Sequence, residues 1–339
     1  MEKMNLDDIA QLAGVSRATV SRVINDHPDV SRTTREKVRV IIEQHNFQPN
    51  LAARMLVTQR TRIVGIVICE PFHTFSTPYG STIIQGISDV TEERDYAMLV
   101  GWQRHRSEKD RFSRRIVQQN RLMDGMLITS TDMDSELIEQ LSSLNAVFVM
   151  MEKPTRHAEK ISYVTIDNLQ GAKVAVEHLL NLGRKRIAHI VGSPHVIDGQ
   201  ERFIGYQQVL AERGIPFDPA LVTRGAFSRQ SGYDGMTELL ARKVSIDAVF
   251  AGNDEIAQGA LQALNQAGVC VPDDIALVGF DDTLTAQELS PQLTTIRQPV
   301  YQRGAQAAAL LLDLIEGTVT EPRHVLLPTQ LIVRQSCGG

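Results

Sequence analysis

Residues 6–25, LDDIAQLAGVSRATVSRVIN, carry two helical periods separated by one glycine. Leu6, Ile9, Ala10, Leu12 and Ala13 keep helical spacing, Gly14 breaks it, and Val15, Ala18, Val20, Val23 and Ile24 resume it. Two short helices joined by a glycine turn read as a helix-turn-helix. Ser16 stands where the second helix must start, so its hydroxyl is suited to accept a hydrogen bond from a free backbone N–H. Between the apolar positions fall Arg17, Thr19, Ser21, Arg22 and Asn25. That donor-rich face suits base edges and phosphates in a DNA major groove. Any small helical hairpin also has a glycine turn and a polar outer face, and these residues alone leave that alternative open.

The residues that follow narrow it. DHPDV, around Pro28, is turn chemistry, and SRTTREKVRVIIEQHNF starts a third helix with Ser31, Thr34, Arg35 and Glu36 as capping options and Val38, Ile41 and Ile42 facing inward. Pro49 and Asn50 end a compact three-helix headpiece. Next comes PNLAARMLVTQRTR, where Ala52, Ala53, Met55 and Leu56 sit beside Arg54 and Arg60. Small alanines permit two copies of such a helix to approach closely, and Leu56 is the kind of apolar side chain that wedges into a minor-groove base step. An ordinary amphipathic linker helix fits the same pattern. A helix this short is marginal alone in water and should form only with a partner.

At 339 residues the chain exceeds one ordinary domain, and 42% hydrophobic with 22% charged residues gives ample core. The net charge of −5 divides unevenly: residues 1–60 hold nine basic and seven acidic side chains, leaving 26 basic and 33 acidic for the rest. The asymmetry is modest and supports a nucleic-acid partner without deciding for one. Cys69, Cys270 and Cys337 are far apart, odd in number and without CxxC spacing, which fits a reduced compartment and no metal, cofactor or disulfide role. No apolar signal core and no run of 18 apolar residues occurs, so the expected location is the cytoplasm and no membrane partner is expected. A phosphate-cradling GxxxxGK[ST], a GxSxG elbow and an HExxH zinc site are all missing, which disfavours an enzyme.

From Arg62 the texture changes. RIVGIVIC is a continuous β-branched run typical of a parallel strand buried on both faces. Then come the loop EPFHTFSTPYGS, a helix over 82–94, a strand over 96–100, a helix over 108–120, DGMLITS, and a strand over 145–151. The rhythm repeats through ISYVTIDN, a helix over 169–181, RIAHIVG, a helix over 200–213, LVTRG, a helix over 228–241, AVFAGND, a helix over 255–266 and IALVGFDD. Strands alternating with helices predict two doubly wound parallel-sheet lobes. The tail holds one long helix and the closing strands of HVLLPTQLIVRQ, and should cross back between lobes.

Ligands in such sheets bind beyond the carboxyl ends of strands, where Asp167, Asn253, Asp254 and Asp281 stand. Carboxylates, amides and an arginine converging on one cleft suit a polyhydroxylated ligand, because each hydroxyl both donates and accepts. An Asp after a strand also caps the next helix, and that alternative holds for Asp167 and Asp254.

MNLDDIAQLAGVSRATVSRVIN, VSRTTREKV, NFQPNLAARMLV and the two-lobed body, with VTIDNLQGAKVAVEHLLNLGRKRIAHIVG, QERFIGY, FAGNDEIAQGAL and ALVGFDD, together resemble the LacI/GalR family of transcription regulators over essentially the whole chain. The resemblance implies a periplasmic-binding-protein-like body and a repressor that reads a near-palindromic operator as a homodimer, with a tetramer as the alternative. It implies that Arg17, Ala18 and Arg22 read bases. Ser16, Thr19, Ser21, Asn25 and Thr34 are assigned to phosphates, and Leu56 is the minor-groove lever with Asn50 and Ala53 on the same hinge helix. It makes Arg202, Asn253 and Asp281 polar anchors of an allosteric effector, with Asp167 lining the cleft and Phe227 offering an aromatic face. Phe75 and Tyr79, in a longer and more aromatic loop than many members have, are candidates for ligand stacking. Val196 stands where a purine-binding member has arginine, so a sugar or related metabolite is expected over a purine. The expected domains are a headpiece over 1–48, a hinge helix and linker over 49–61, and a body over 62–339. Within the body, 62–166 with 296–320 form one lobe and 167–291 with 321–335 the other.

Overall fold

The computed structural model describes residues 4–24, 27–45, 47, 60–68, 78–102, 109–129, 134–193 and 196–338. The chain divides into two compact units, residues 1–61 and 62–339.

The first unit contains α1 (Leu6–Ala13), α2 (Arg17–Ile24) and α3 (Arg32–Gln44). Asn5 opens α1 with a reciprocal cap: its side chain accepts from the N–H groups of Asp7 and Asp8, and Asp8 accepts from the Asn5 N–H at 2.8 Å. Gly14 ends α1 at φ +63°, a left-handed conformation that costs glycine little. Ile9, Ala10, Ala13, Val20, Val23 and Val38 form its buried core. Leu12, counted with the inward apolar set, is instead 49% exposed.

In the second unit two six-stranded sheets form two lobes. The first sheet takes β1 (Ile63–Ile68), β2 (Ala97–Trp102), β3 (Gly125–Thr129), β4 (Phe148–Met150) and β5 (Tyr163–Ile166). The second takes β6 (Ile187–Val191), β7 (Val222–Arg224), β8 (Ala248–Ala251), β9 (Ala276–Asp281) and β10 (Thr294–Arg297). The tail strands β11 (His324–Leu327) and β12 (Gln330–Ile332) complete one sheet each, giving orders β11-β5-β4-β3-β1-β2 and β12-β10-β9-β8-β6-β7. All pairings are parallel except β10 with β12. Val64, Ile66, Leu127, Val149 and Val164 in one lobe, and Phe250, Val278 and Phe280 in the other, are fully buried, as the continuous apolar runs require.

Helices α4 (Pro78–Glu93), α5 (Lys109–Gln119) and α6 (Asp134–Ser143) belong to the first lobe, and α7 (Asn168–Asn181), α8 (Ile197–Glu212), α9 (Arg229–Ala241), α10 (Asp254–Gln266) and α11 (Leu284–Glu288) to the second. The long tail helix α12 (Val300–Glu316) returns to pack on α4 in the first lobe. Two readings of the tail differ from expectation. Thr294–Arg297 is a strand of the second sheet, and His324–Leu327 pairs with β5 in the first, so 321–335 is shared between lobes. The Pro328–Thr329 step separates β11 from β12 and carries the chain across. α6 occupies a stretch that the apolar pattern leaves unassigned.

Candidate functional site

The donor-rich face of the headpiece lies on α2. Ser16 Oγ accepts from the Thr19 N–H at 3.1 Å, the expected cap, and lies 2.9 Å from Thr19 Oγ1. Ser31 plays the same part for α3 through the Thr34 N–H at 3.2 Å. Ser16, Arg17, Ala18 and Arg22 are exposed, while Thr19, Ser21 and Thr34 are half-buried. Ala18 thus leaves the apolar set and joins Arg17, Ser21 and Arg22, which share a face at one-turn spacing. Arg17 Nη1 is 3.3 Å from Asp7 Oδ2, an exposed pair that contributes little stability. Asn25, Asn50, Ala53 and Leu56 lie outside the described residues.

The second site lies between the lobes, around two buried guanidiniums. Arg202, on α8, donates through Nε to Asn168 Oδ1 at 2.9 Å and through Nη1 to the Gly252 carbonyl at 2.6 Å. It lies 3.7 Å from the Phe280 ring centroid and 3.5 Å from Asp281 Oδ1. Gln298 Nε2 donates to the same Asp281 oxygen at 2.6 Å, while Gln298 Oε1 is buried without a donor among the described residues. Arg303, on α12, donates through Nη1 to Tyr79 Oη at 2.9 Å and through Nε to the Met151 carbonyl at 2.9 Å. Glu152 and Asp198 flank it at 3.3 and 3.7 Å. Asn168 joins the two groups by donating to Asp198 Oδ1 at 3.0 Å.

Burial, opposed by Arg202, holds the Asp281 carboxyl up at about 6, and the nearby Asp198 adds to the rise. Burial together with Asp281 raises Asp254 well above the carboxylate range. Burial raises the Tyr79 hydroxyl too, against the pull of Arg303. A cavity of about 530 Å³ borders this network, meeting it at Tyr79, Asp281 and Gln298 and walled elsewhere by residues at the crossings between lobes, among them Arg297, Pro299, Tyr301 and Pro328; its size suits a small ligand.

Of the residues expected in this cleft, Arg202, Asp281 and Tyr79 meet in one network. Phe227 is half-buried with Arg202 Cζ 5.6 Å from its ring centroid, and its ring occupies the space a Cβ on Gly192 would fill. Asn253 caps α10, its Oδ1 accepting from the Ile256 N–H at 2.9 Å, and follows the Gly252 carbonyl that Arg202 holds. Asp167 is a cap: Oδ1 accepts from the Gln170 N–H at 2.9 Å, and the next residue, the fully buried Asn168, faces the network. Asp254 is also structural, accepting from Thr295 Oγ1 at 2.6 Å and from the Thr283 N–H at 2.7 Å. Phe75 lies outside the described residues. Asn168, Asp198, Gln298, Glu152 and Arg303 were not foreseen. The sequence signal for Arg303 is a lone charge on the buried face of an apolar helix.

A helix-turn-helix with an open donor face, in one chain with a two-lobed polar cleft, is the plan of a DNA-binding regulator with a ligand site. Residues 5–50 match the lacI family of bacterial regulatory proteins, and residues 176–337 match the periplasmic binding protein-like domain. The chain is 38% identical over 333 residues to the HTH-type transcriptional regulator CelR of Thermobifida fusca, covering 98% of this chain and 97% of CelR. It is 36% identical to the regulator GalR of Salmonella typhimurium, covering 98% and 95%. Among solved structures it matches a CelR–cellobiose complex at TM-score 0.78 and 36% identity, covering 98% and 99%. It also matches a lac repressor dimer bound to operator and the anti-inducer ONPF at TM-score 0.86 and 26% identity, covering 99% of each chain. The chain belongs to the LacI family and is a DNA-binding transcriptional regulator. No helix among the described residues is long and apolar enough to cross a membrane.

Proposed function

We propose that the protein is a repressor that binds a near-palindromic operator as a homodimer, and that a sugar held between the lobes sets its operator affinity. The observation that carries the effector half is the Arg202 network. Its guanidinium, the Asp281 carboxyl and the Gln298 carbonyl oxygen mix donors and acceptors beside a cleft, as ligand hydroxyls require, and Asn253 is proposed as a further polar anchor. The exposed Arg17, Ala18 and Arg22 read bases, and Ser16, Thr19, Ser21 and Thr34 hold phosphates. Asn25 adds a phosphate contact, and Leu56, with Asn50 and Ala53, supplies the minor-groove lever. In this reading the protein acts by binding and not by turnover, in keeping with relatives named as transcriptional regulators.

Control follows from linkage. A sugar that favours the lobe angle of the DNA-binding form raises operator affinity, and one that favours the other angle lowers it, typically by about 1–3 kcal/mol. A thermal-shift screen of sugars, nucleosides and purines, followed by operator titration with each hit, tests the reading. Cellobiose belongs in the panel because the CelR relative is solved with it. A sugar that raises the melting temperature and shifts operator affinity supports the proposal. Hits confined to purines would refute the sugar assignment. Leu56→Ala should weaken specific operator binding while leaving sugar affinity intact, and equal loss of both would refute its role as a lever.

A further inference from the structure

Arg303 is a guanidinium with no exposure, on a helix whose other buried positions include Ala307, Ala308, Leu310 and Leu311. A buried arginine in a ligand cleft is ordinarily a ready receptor for phosphate or carboxylate. Here its donors are already committed to the Met151 carbonyl, Tyr79 Oη and Glu152 Oε1, with Asp198 at 3.7 Å. Arg202 is likewise matched by Asp281 at 3.5 Å. Asn168, 3.0 Å from Asp198 Oδ1, also reaches Glu201 Oε2 at 3.5 Å. Around these two guanidiniums the described residues therefore gather Glu152, Asp198, Glu201 and Asp281. Asp254 adds to the field that Asp281 feels, and the exposed Lys153 is the further cation near Glu201.

We infer that the cleft selects an uncharged or amine-bearing sugar and turns away its phosphorylated and carboxylated forms, and that Arg303, held by Glu152 and Asp198, is the residue that sets this selectivity. The inference rests on the sugar-effector reading above. Carboxylates outnumber the buried guanidiniums, so an anion entering the cleft meets like charge in a poorly solvated space and must displace a carboxylate to reach Arg303. A hydroxyl meets no such barrier. It can donate to Gln298 Oε1, which is buried with no donor among the described residues. Burial is the main cause that raises the Asp281 and Glu201 carboxyls, and Asp198 adds to the rise of both.

The test is calorimetric titration of the full chain with matched ligands: glucose, galactose, cellobiose and glucosamine against glucose 6-phosphate, galacturonate and phosphorylated cellobiose. The anionic member of a binding pair is expected to be at least about tenfold weaker, equivalent to ~1.4 kcal/mol. In Glu152→Gln and Asp198→Asn, each checked for folding by circular dichroism, freeing Arg303 should narrow the gap to about threefold or less. An anionic sugar that binds wild type as tightly as its neutral counterpart overturns the inference while leaving the sugar reading intact. A gap unchanged in both folded variants overturns the role of Arg303. Binding by no member of any pair overturns the sugar reading and this inference with it.

Discussion

Replacing Arg202 with methionine keeps most of the apolar stem and removes the guanidinium. Asn168 Oδ1 and the Gly252 carbonyl then lose donors at 2.9 and 2.6 Å, and Asp281 loses the cation 3.5 Å away. Breaking a buried pair in this way costs about 3–5 kcal/mol. Part of that cost depends on pH, and its sign is fixed by Asp281. Its folded carboxyl sits at about 6, above the ordinary 3.8. The stabilisation this gives is present below 3.8 and is lost as pH rises through the folded value. Without Arg202 the folded value climbs by a further ~1–3 pH units, because that cation was pulling it down. The penalty for Arg202→Met should therefore be smallest near pH 5 and grow by about 1.4–4 kcal/mol toward pH 9.

Urea denaturation of both proteins at pH 5, 7 and 9 reads this directly from the transition of the body. Asp198, Arg303 and Asp254 also face Asp281 and are retained in both proteins, so their contributions cancel to first order. In an Asp281→Asn background the growth with pH should vanish while the loss of the Arg202 hydrogen bonds remains. A penalty equal at pH 5 and pH 9 would show that Arg202 does not act through Asp281.

Gly192→Ala places a methyl where the Phe227 ring lies, so a loss of about 1–3 kcal/mol in stability and a parallel fall in sugar affinity should appear. Thermal melting with and without sugar separates the two, and unchanged sugar affinity would remove Phe227 from the site. Ser16→Ala deletes the cap on the Thr19 N–H, and at ~1 kcal/mol amide exchange along α2 should quicken by about fivefold; unchanged exchange would show the cap to be idle. Arg22→Lys keeps the charge and gives up planar two-point contact. Specific operator affinity should fall by roughly 1–3 kcal/mol while non-specific affinity and its salt dependence hold, and a uniform loss on all DNA would make Arg22 a phosphate contact instead.

The parallel strands were legible because each is buried on both faces and must be apolar at every position, as IVGIVI is over 63–68. The helix over 134–143 escaped because only Leu137, Ile138 and Leu141 of its ten residues are buried apolar side chains. TTIR over 294–297 is too short to declare itself and becomes a strand by pairing with β9. HVLLPTQLIV shows two apolar runs around a proline, but which sheet each run joins is a property of the tertiary fold. The site divides in the same way. Arg202, Asp281 and Asn253 follow from their places in motifs, whereas Asp167 and Asn168 are neighbours of which one caps and the other faces inward, a choice set by the start of α7. Arg303 is a lone charge on the buried face of an apolar helix, and its partners Tyr79, Met151, Glu152 and Asp198 come from three distant segments that the sequence does not link.

Those segments also fit lobe angle as the coordinate on which the proposed effector acts. Tyr79, Met151, Glu152 and Arg303 belong to the first lobe, and Asn168, Asp198, Arg202, Gly252 and Asp281 to the second. The chain crosses between lobes after β5, after β10 and between β11 and β12. On the second-lobe side these crossings are firmly held: Asp282 accepts from Arg297 Nε and from Arg334 Nη2 at 2.6 Å each, tying the end of β10 to the tail. Under the proposed control, rotation would fall on the short connecting steps. Across the gap Arg303 and Asp198 stand 3.7 Å apart, longer than a hydrogen bond, so a small rotation tightens or breaks that contact. A ligand hydroxyl bridging the two sets of side chains fixes the same distance. On the proposed reading its binding energy would go into choosing a lobe angle, which is the differential interaction that an allosteric effector must have.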